Sequence, residues 1–303
     1  MRPATPLALS AVLASALLLT GCGTRDADSA GPGSSGASAA SGSPTCTPSP
    51  PVGDPDRLKR DGVTVLGRGC GPSATATEFE VTNSGSQALT YTINFALMND
   101  AGEAMDSTIR TVASVGPGRT VRDIVDTART GADGNGWPRV QITKVRAVPA
   151  NEASGSAGAC PPSGIRVTTD EGDAAMGLRV VGLHLTNCGT GDYRLDGYPQ
   201  LQLLDANHEP VTGVRILRGT SEISTGLGSD APPGPVTLKP GESAFARLAW
   251  RNTTGFGEAV NAPYARVTAR PGATAVTVTP EFDLGTTGKL GTGPWQKEQP
   301  KAR

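Results

Sequence analysis

Leu89-Thr90-Tyr91-Thr92-Ile93-Asn94-Phe95-Ala96-Leu97 alternates large apolar residues with small or polar ones along its whole length. A strand repeats every second residue, so Leu89, Tyr91, Ile93, Phe95 and Leu97 share one face and predict a half-buried β-strand. Shorter stretches of the same kind stand at Val63 to Leu66, Phe79 to Thr82 and Val140-Gln141-Ile142, with turn residues at Asn83-Ser84-Gly85 and Asp100-Ala101-Gly102 between them. No segment of helical period separates these strands. Parallel pairing needs such crossovers, so the pattern predicts an antiparallel sandwich.

A second series follows the same rule. Val181, Leu183 and Leu185 alternate, as do Leu201 and Leu203, then Ala244, Ala246, Leu248 and Trp250, then Val276 and Val278. The 40 glycines and 25 prolines among 303 residues, with only 4% aromatics, suit many short strands joined by turns. The expected fold class is therefore all-β, with two tandem antiparallel β-sandwich domains at residues 46–148 and 160–285. Residues 149–159 read as a linker, and the Gly- and Lys-containing stretch 286–303 as a disordered tail.

The two series share landmarks in the same order. Phe79-Glu80-Val81-Thr82-Asn83-Ser84-Gly85 parallels Leu183-His184-Leu185-Thr186-Asn187-Cys188-Gly189, and Val115-Gly116-Pro117-Gly118 parallels Leu238-Lys239-Pro240-Gly241. Duplication explains this, and so do turns that recur in any sandwich for backbone reasons. The second copy is longer before its Pro-Gly turn, which makes Gly219 to Pro235 a candidate surface loop.

At the N-terminus, Arg2 precedes an apolar stretch that closes on Leu19-Thr20-Gly21-Cys22. The stretch is shorter than the roughly 20 apolar residues that span a bilayer. It resembles the lipobox of bacterial lipoproteins. The resemblance implies a signal peptide at residues 1–21, cleavage before Cys22, and a diacylglyceryl and acyl (palmitate-type) anchor on that cysteine. Residues 22–45, almost wholly Gly, Ser, Ala, Thr, Pro and Asp, then form a flexible tether. The expected location is the outer face of the cell membrane, with membrane lipid as a partner through Cys22.

Setting Cys22 aside leaves Cys46, Cys70, Cys160 and Cys188, an even set that suits disulfides in an oxidising compartment. Pairing Cys46 with Cys70 and Cys160 with Cys188 keeps each bridge within one domain, while the other two connectivities stay open. Metal binding is disfavoured, since no cysteines stand at C-x-x-C spacing and His184 and His208, the two histidines, lack companions at ligand spacing.

No nucleophile elbow, zinc-protease helix, Walker loop or dinucleotide fingerprint is present. No catalytic residue, metal site or cofactor is expected. His184 lies in a strand opposite Leu183 and Leu185, so it is expected to face solvent. Asp205-Ala206-Asn207-His208-Glu209 alternates oxygen-bearing side chains as calcium loops do, but it lacks the EF-hand glycine and distal glutamate and reads first as a hairpin turn. Trp250 ends an apolar face and reads as core, whereas Trp137 and Trp295 lie in loop-like sequence and are candidates for exposure. Trp137, Tyr198, Gly219 and Asp230 together mark a candidate binding surface.

The second region resembles a family on four motifs: Cys160-Pro161-Pro162, the Leu183 to Gly189 run, Leu195-Asp196-Gly197-Tyr198-Pro199, and Leu238-Lys239-Pro240-Gly241-Glu242-Ser243-Ala244. These look like the actinobacterial domain of unknown function 4232. Its members are exported proteins or lipoproteins with an Ig-like β-sandwich and no established biochemical role. The Arg-over-Lys, Ala/Gly/Thr-rich composition resembles an actinobacterial proteome as well. The family's second cysteine often stands just before the Gly-Tyr-Pro segment, whereas here the cysteine follows Asn187. The first region has a general likeness to Ig-like or fibronectin-like modules.

A net charge of −1 provides no basic excess for nucleic acid. The expected function is thus an exported, lipid-anchored, non-enzymatic envelope protein that presents two β-sandwich domains to an unidentified envelope protein or wall polymer. The alternatives are a cell-envelope enzyme, an accessory subunit of a wall or lipid enzyme, and a structural spacer.

Overall fold

The computed structural model describes residues 50–68, 76–127, 139–155, 160–228 and 231–299. Cys22, Cys46, Cys70, Trp137 and Asp230, with the signal peptide and tether, lie outside the described residues. Residues from Cys46 onward form one compact unit. The chain is all-β, as its alternation predicts.

After a single-turn helix α1 (Pro55–Leu58), the first sandwich is built from β1 (Lys59–Arg60), β2 (Val63–Arg68), β3 (Ala76–Thr82), β4 (Leu89–Met98), β5 (Ala104–Val115), β6 (Thr120–Asp126) and β7 (Arg139–Pro149). One sheet runs β1-β2-β3-β6 and the other β5-β4-β7, with every pairing antiparallel. Tyr91, Ile93, Phe95 and Leu97 of β4 are buried as their spacing predicts, and the Phe95 ring meets Phe79 of the facing sheet at 5.1 Å. Ile142 and Val145 of β7 are three residues apart yet both buried. A bulge between them opposite Asn94 restores the phase, and the Thr143 hydroxyl donates to the Asn94 carbonyl at 3.0 Å.

The second sandwich comprises β8 (Ile165–Thr169), β9 (Asp173–Ala175), β10 (Leu178–Asn187), β11 (Tyr193–Asp196), β12 (Gln200–Leu204), β13 (Arg215–Arg218), β14 (Pro235–Leu238), β15 (Ser243–Arg251), β16 (Asn261–Ala262), β17 (Tyr264–Thr268), β18 (Val276–Val278), β19 (Phe282–Asp283), β20 (Lys289–Thr292) and β21 (Gln296–Lys297). Its main sheet runs β8-β10-β15-β20-β13, and β12-β17-β18 forms the opposite layer. The path β8-β10-β15 repeats β2-β3-β6, and β11-β14 with β12-β17 repeats β4-β5 with β4-β7. Thr82 and Thr120 share a hydroxyl hydrogen bond of 2.9 Å in the first copy, and Thr186 and Ser243 share one of 2.9 Å in the second.

Three expectations need correction. Of the stretch 286–303, expected as a disordered tail, the described residues 286–299 are not a free tail, because β20 and β21 both pair with β15 and Trp295 is only 2% exposed, its indole donating to the Ala269 carbonyl at 3.0 Å. The glycines that suggested disorder serve close packing. A Cβ on Gly291 would stand 2.8 Å from the Gly219 carbonyl oxygen. The second sandwich therefore runs through Glu298, whose amide donates to Ser243.

Gly219 is not a free loop residue either. It is buried, its amide donates to Thr292 at 2.7 Å, and the following turn inserts Ile223. The Arg251 and Arg247 side chains hold the carbonyls of Ile223 and Leu227, stitching this part of the insertion onto β15. Gly, Ser and Thr content marks a segment as irregular without saying whether the irregular backbone is packed.

Of the expected linker 149–159, Glu152 and Ala153 are built into the second sandwich. Ala153 bridges Thr277, and Glu152, 8% exposed, accepts from the Arg266 guanidinium and from the Thr277 hydroxyl at 2.7 Å.

Candidate functional site

The outward residues of β4 are threonines where the sheet comes nearest the second sandwich. Thr90 and Thr92, with Thr111 and Ala113 of β5, form one wall of a cleft of about 420 Å³. The facing wall carries Thr168 and Thr169 from β8 and Thr277 and Thr279 from β18 and its end, and Pro161 and Pro162 line it beside Cys160. A threonine on a strand offers a hydroxyl that both donates and accepts, beside a methyl group. Arg146 apart, the lining is thus uncharged and mixes hydroxyl groups with apolar surface.

Two contacts join the walls of the cleft. Arg146 on β7 donates Nε to Glu281 Oε1 at 2.7 Å and Nη2 to Oε2 at 2.6 Å, a two-pronged pair joined by Lys144 at 3.6 Å. The Glu281 hydrogen bond holds the Arg146 pKa above its ordinary value although burial opposes this. Arg146 lines the cleft, but its charge is already matched. Second, Val148, Leu204 and Tyr264 form a small apolar cluster with Ala153 packed against it. Within the second sandwich, the His208 ring stacks on Tyr264 at 4.3 Å. Burial pushes the His208 pKa below its ordinary value, with Asp205 and Glu152 opposing more weakly.

Cys160 and Cys188 are bridged, with their Cα atoms 5.6 Å apart. The bridge ties the start of the second sandwich to the end of β10 beside the cleft. Here Gly164 and Gly189 pass so closely that a Cβ on Gly189 would meet Gly164 at 3.3 Å. The pairing within the second domain is the one expected.

The other sequence-selected residues lie elsewhere. Tyr198 is half-buried beneath the Arg218 guanidinium, 5.8 Å from its ring centroid, and neither it nor Gly219 lines the cleft. Trp250 is core, donating its indole N–H to Asp283 at 2.7 Å. Asp205 Oδ1 accepts the amides of Asn207 and Glu209 at 2.8 and 2.9 Å, so that carboxylate oxygen organises the turn. Among the described residues no cluster of His, Cys, Asp or Glu is arranged to hold a metal.

His184 does not simply face solvent. Its Nδ1 lies 2.5 Å from Glu298 Oε1 and its Nε2 lies 3.2 Å from Asp170 Oδ2, leaving the side chain 34% exposed. Alternation places it on the outer face correctly, but Glu298, from the presumed tail, folds back to cover it.

The threonine cleft carries no motif. Its sequence signal is the recurrence of threonine at outward strand positions where charged residues are commoner on a solvated face. With this geometry in hand, the comparison with known families is specific for the second sandwich. Residues 160–296 match the family model of DUF4232, a domain of unknown function. The DUF4232 match ends one residue after Trp295, consistent with the folded strap. It starts at Cys160, so the DUF4232 segment supplies one wall of the cleft and the first sandwich the other. No curated protein matches the chain.

Proposed function

We propose that this chain is an exported, lipid-anchored envelope protein that binds a protein segment or wall polymer in the cleft between its sandwiches, without catalysing a reaction. The carrying observation is the cleft itself. Threonine hydroxyls line both walls, and the one arginine of its lining is neutralised by Glu281. Such a surface suits an extended, uncharged, hydroxyl- or amide-rich chain, whose groups can replace water at many hydroxyls without stranding a charge. Binding rather than turnover is favoured because the two histidines, the usual general bases, lie outside the cleft and engage other partners. On this reading the Cys22 anchor and the 22–45 tether hold the cleft near the membrane surface.

The test is retention of purified full-length protein on isolated wall polymer and on solubilised envelope protein. Thr92→Lys and Thr168→Lys, which put a charge into each wall, are expected to reduce retention about tenfold through burial of an unpaired ammonium. Unchanged retention by both variants would move the site elsewhere. Mass spectrometry of the N-terminal peptide tests the anchor, and an unacylated Cys22 overturns it.

A further inference from the structure

Two turns at one end of the second sandwich hold large apolar side chains in solvent. Met176 is 99% exposed in the turn between β9 and β10, and Phe256 is 106% exposed in the loop that follows β15. They are the two most exposed large apolar residues among those described.

Met176 is a poor choice for its turn. Ala175 pairs with Leu178, so Met176 and Gly177 form a two-residue hairpin, and both have positive φ, 48° and 79°. Asn-Gly or Asp-Gly meets that geometry at least cost, because a long side chain in the left-handed region crowds its own backbone. Here a methionine takes the strained position and is left in water, with Ala174 and Ala175 exposed beside it. Strain and exposure together point to a role outside the turn.

Phe256 stands between Gly255 and Gly257 on a loop whose base is fixed. The Gly255 amide donates to Thr286 Oγ1 at 2.8 Å, the Thr286 amide to the Thr253 carbonyl at 3.0 Å, and the Val260 amide to the Gly285 carbonyl at 2.8 Å. The Asn252 amide donates to the Gly177 carbonyl at 2.9 Å, which ties this loop to the Met176 turn. Both tips thus project from one base. No charged residue stands from Ala174 to Leu178, and Glu258 is the one charge from Asn252 to Val260.

The path of the chain indicates what meets the tips. Ala153 bridges Thr277, and Arg146 meets Glu281. The chain therefore runs back from Ala153 through β7 in the same direction as the second sandwich runs from Thr277 through Glu281 to Asp283, whose carboxylate accepts from Asn252 at 3.0 Å. At the far end of β7, Arg57 donates to Gln141 at 3.4 Å, and a Cβ on Gly53 would stand 3.7 Å from the Gln141 side chain. The start of the described chain and the two tips thus lie on the same side of the Arg146–Glu281 pair. On the anchor proposed above, residues 23–49 join Cys22 to that start, and a segment of this length spans at most about 90 Å. Protruding apolar tips within reach of a bilayer are suited to enter it.

We propose that Met176 and Phe256 insert into the surface of the bilayer that anchors Cys22, a second lipid contact that rests on that anchor and orients the fold upon it. β10 then rises about 30 Å from Leu178 to Asn187 and holds the Cys160–Cys188 side of the cleft away from the lipid.

The experiment is peroxide footprinting of methionines in purified full-length chain, with and without vesicles of phosphatidylcholine, read by peptide mass spectrometry. A zwitterionic lipid suffices because the tips carry no basic residue. Without vesicles Met176 is expected to oxidise faster than Met105, which is 49% exposed on β5. With vesicles Met176 is expected to slow about tenfold while Met105 is unchanged. Phe256→Asp should abolish this protection without lowering the melting temperature, since the side chain it replaces is fully exposed. Met176→Asn, which suits the turn, should melt at the same or a higher temperature, yet lose the slowing of amide exchange that vesicles produce at residues 253–259. Flotation of the same samples with the vesicles reads the anchor separately, so a chain that floats with Met176 unprotected keeps the anchor and loses the tips. Equal oxidation of Met176 with and without vesicles overturns the proposal whether or not the chain floats. Protection by solubilised envelope protein and not by vesicles assigns the tips to a protein partner and overturns it as well.

Discussion

Asn83 and Asn187 make the same five hydrogen bonds, one set in each sandwich. Asn83 Nδ2 donates to the carbonyls of Gln87 and Val115, its Oδ1 accepts the Gly85 amide, and its own amide and carbonyl bond to Arg119 and Gly118. Asn187 repeats this with Gly191, Leu238, Gly189, Glu242 and Gly241. In both, the Pro-Gly turn it clasps places glycine at positive φ, 65° at Gly118 and 84° at Gly241, as a type II turn requires. Recurring turns explain the glycines, but they do not explain one buried side chain bridging two loops with identical wiring. The two sandwiches thus share this clasp and the strand paths around it, and among the described residues the first has no counterpart of the strap.

Each asparagine should therefore be a stability determinant of its own sandwich. Both are buried, so Asn83→Ala or Asn187→Ala strands two carbonyls and an amide. The expected loss is about 2–3 kcal/mol for each. Asn207→Ala, in an exposed turn, is expected to cost less than about 0.5 kcal/mol. Denaturant unfolding checks all three. Equal, small losses would show that the clasp is incidental.

What was legible followed from period and turn chemistry. The β4 alternation, the Trp250 core face and the paired Thr-Asn-x-Gly turns all express local rules, and local rules suffice for them. The bulge at Thr143 was hidden because a one-residue insertion leaves no compositional trace. Trp295 and the strap were misjudged because Gly and Lys content is the same in a solvated tail and in a strand needing close backbone approach. The threonine cleft was invisible for another reason. Thr92 looks like any outward strand residue until the fold brings Thr169 and Thr279 to the same cleft.

The strap should respond to pH through His184. Burial alone would lower its pKa, but the hydrogen bonds to Glu298 and Asp170 outweigh it and the net shift is upward from 6.5. A histidine raised in the folded state stabilises fully below the unfolded value and loses that contribution as pH rises through the folded one. Amide exchange at residues 296–298 should therefore accelerate as pH rises above about 6.5, beyond the intrinsic base-catalysed increase. His184→Gln should remove that extra acceleration. His208, shifted downward, acts in the opposite sense at the sandwich junction, where stability present above 6.5 falls away as pH drops below it. An unaltered exchange profile in His184→Gln would show that the two carboxylates do not latch the strap.

Trp295 should behave as a core residue. Trp295→Ala removes a buried indole and its hydrogen bond to Ala269, and is expected to cost about 3–5 kcal/mol. Truncation after Gly285 should unfold the second sandwich, since β15 then loses both strap strands, whereas truncation after Glu298 should leave its melting temperature unchanged. Thermal unfolding distinguishes the two truncations, and equal behaviour would return 286–298 to the status of a tail.

The ion pair of Arg146 with Glu281 joins the two walls of the cleft, and its removal should affect binding before it affects folding. Glu281→Gln keeps the shape but withdraws the charge that matches a half-buried guanidinium, 24% exposed. Partial exposure screens the pair, so the expected loss of global stability is only about 1 kcal/mol. The uncompensated Arg146 then projects its charge into the threonine-lined space. Retention of a neutral polymer should fall, while retention of an acidic one should rise and become salt-sensitive. Arg146→Met together with Glu281→Gln removes both charges and should restore the preference for the neutral polymer. If the single and double variants bind alike, the pair holds the sandwiches together without shaping what enters between them.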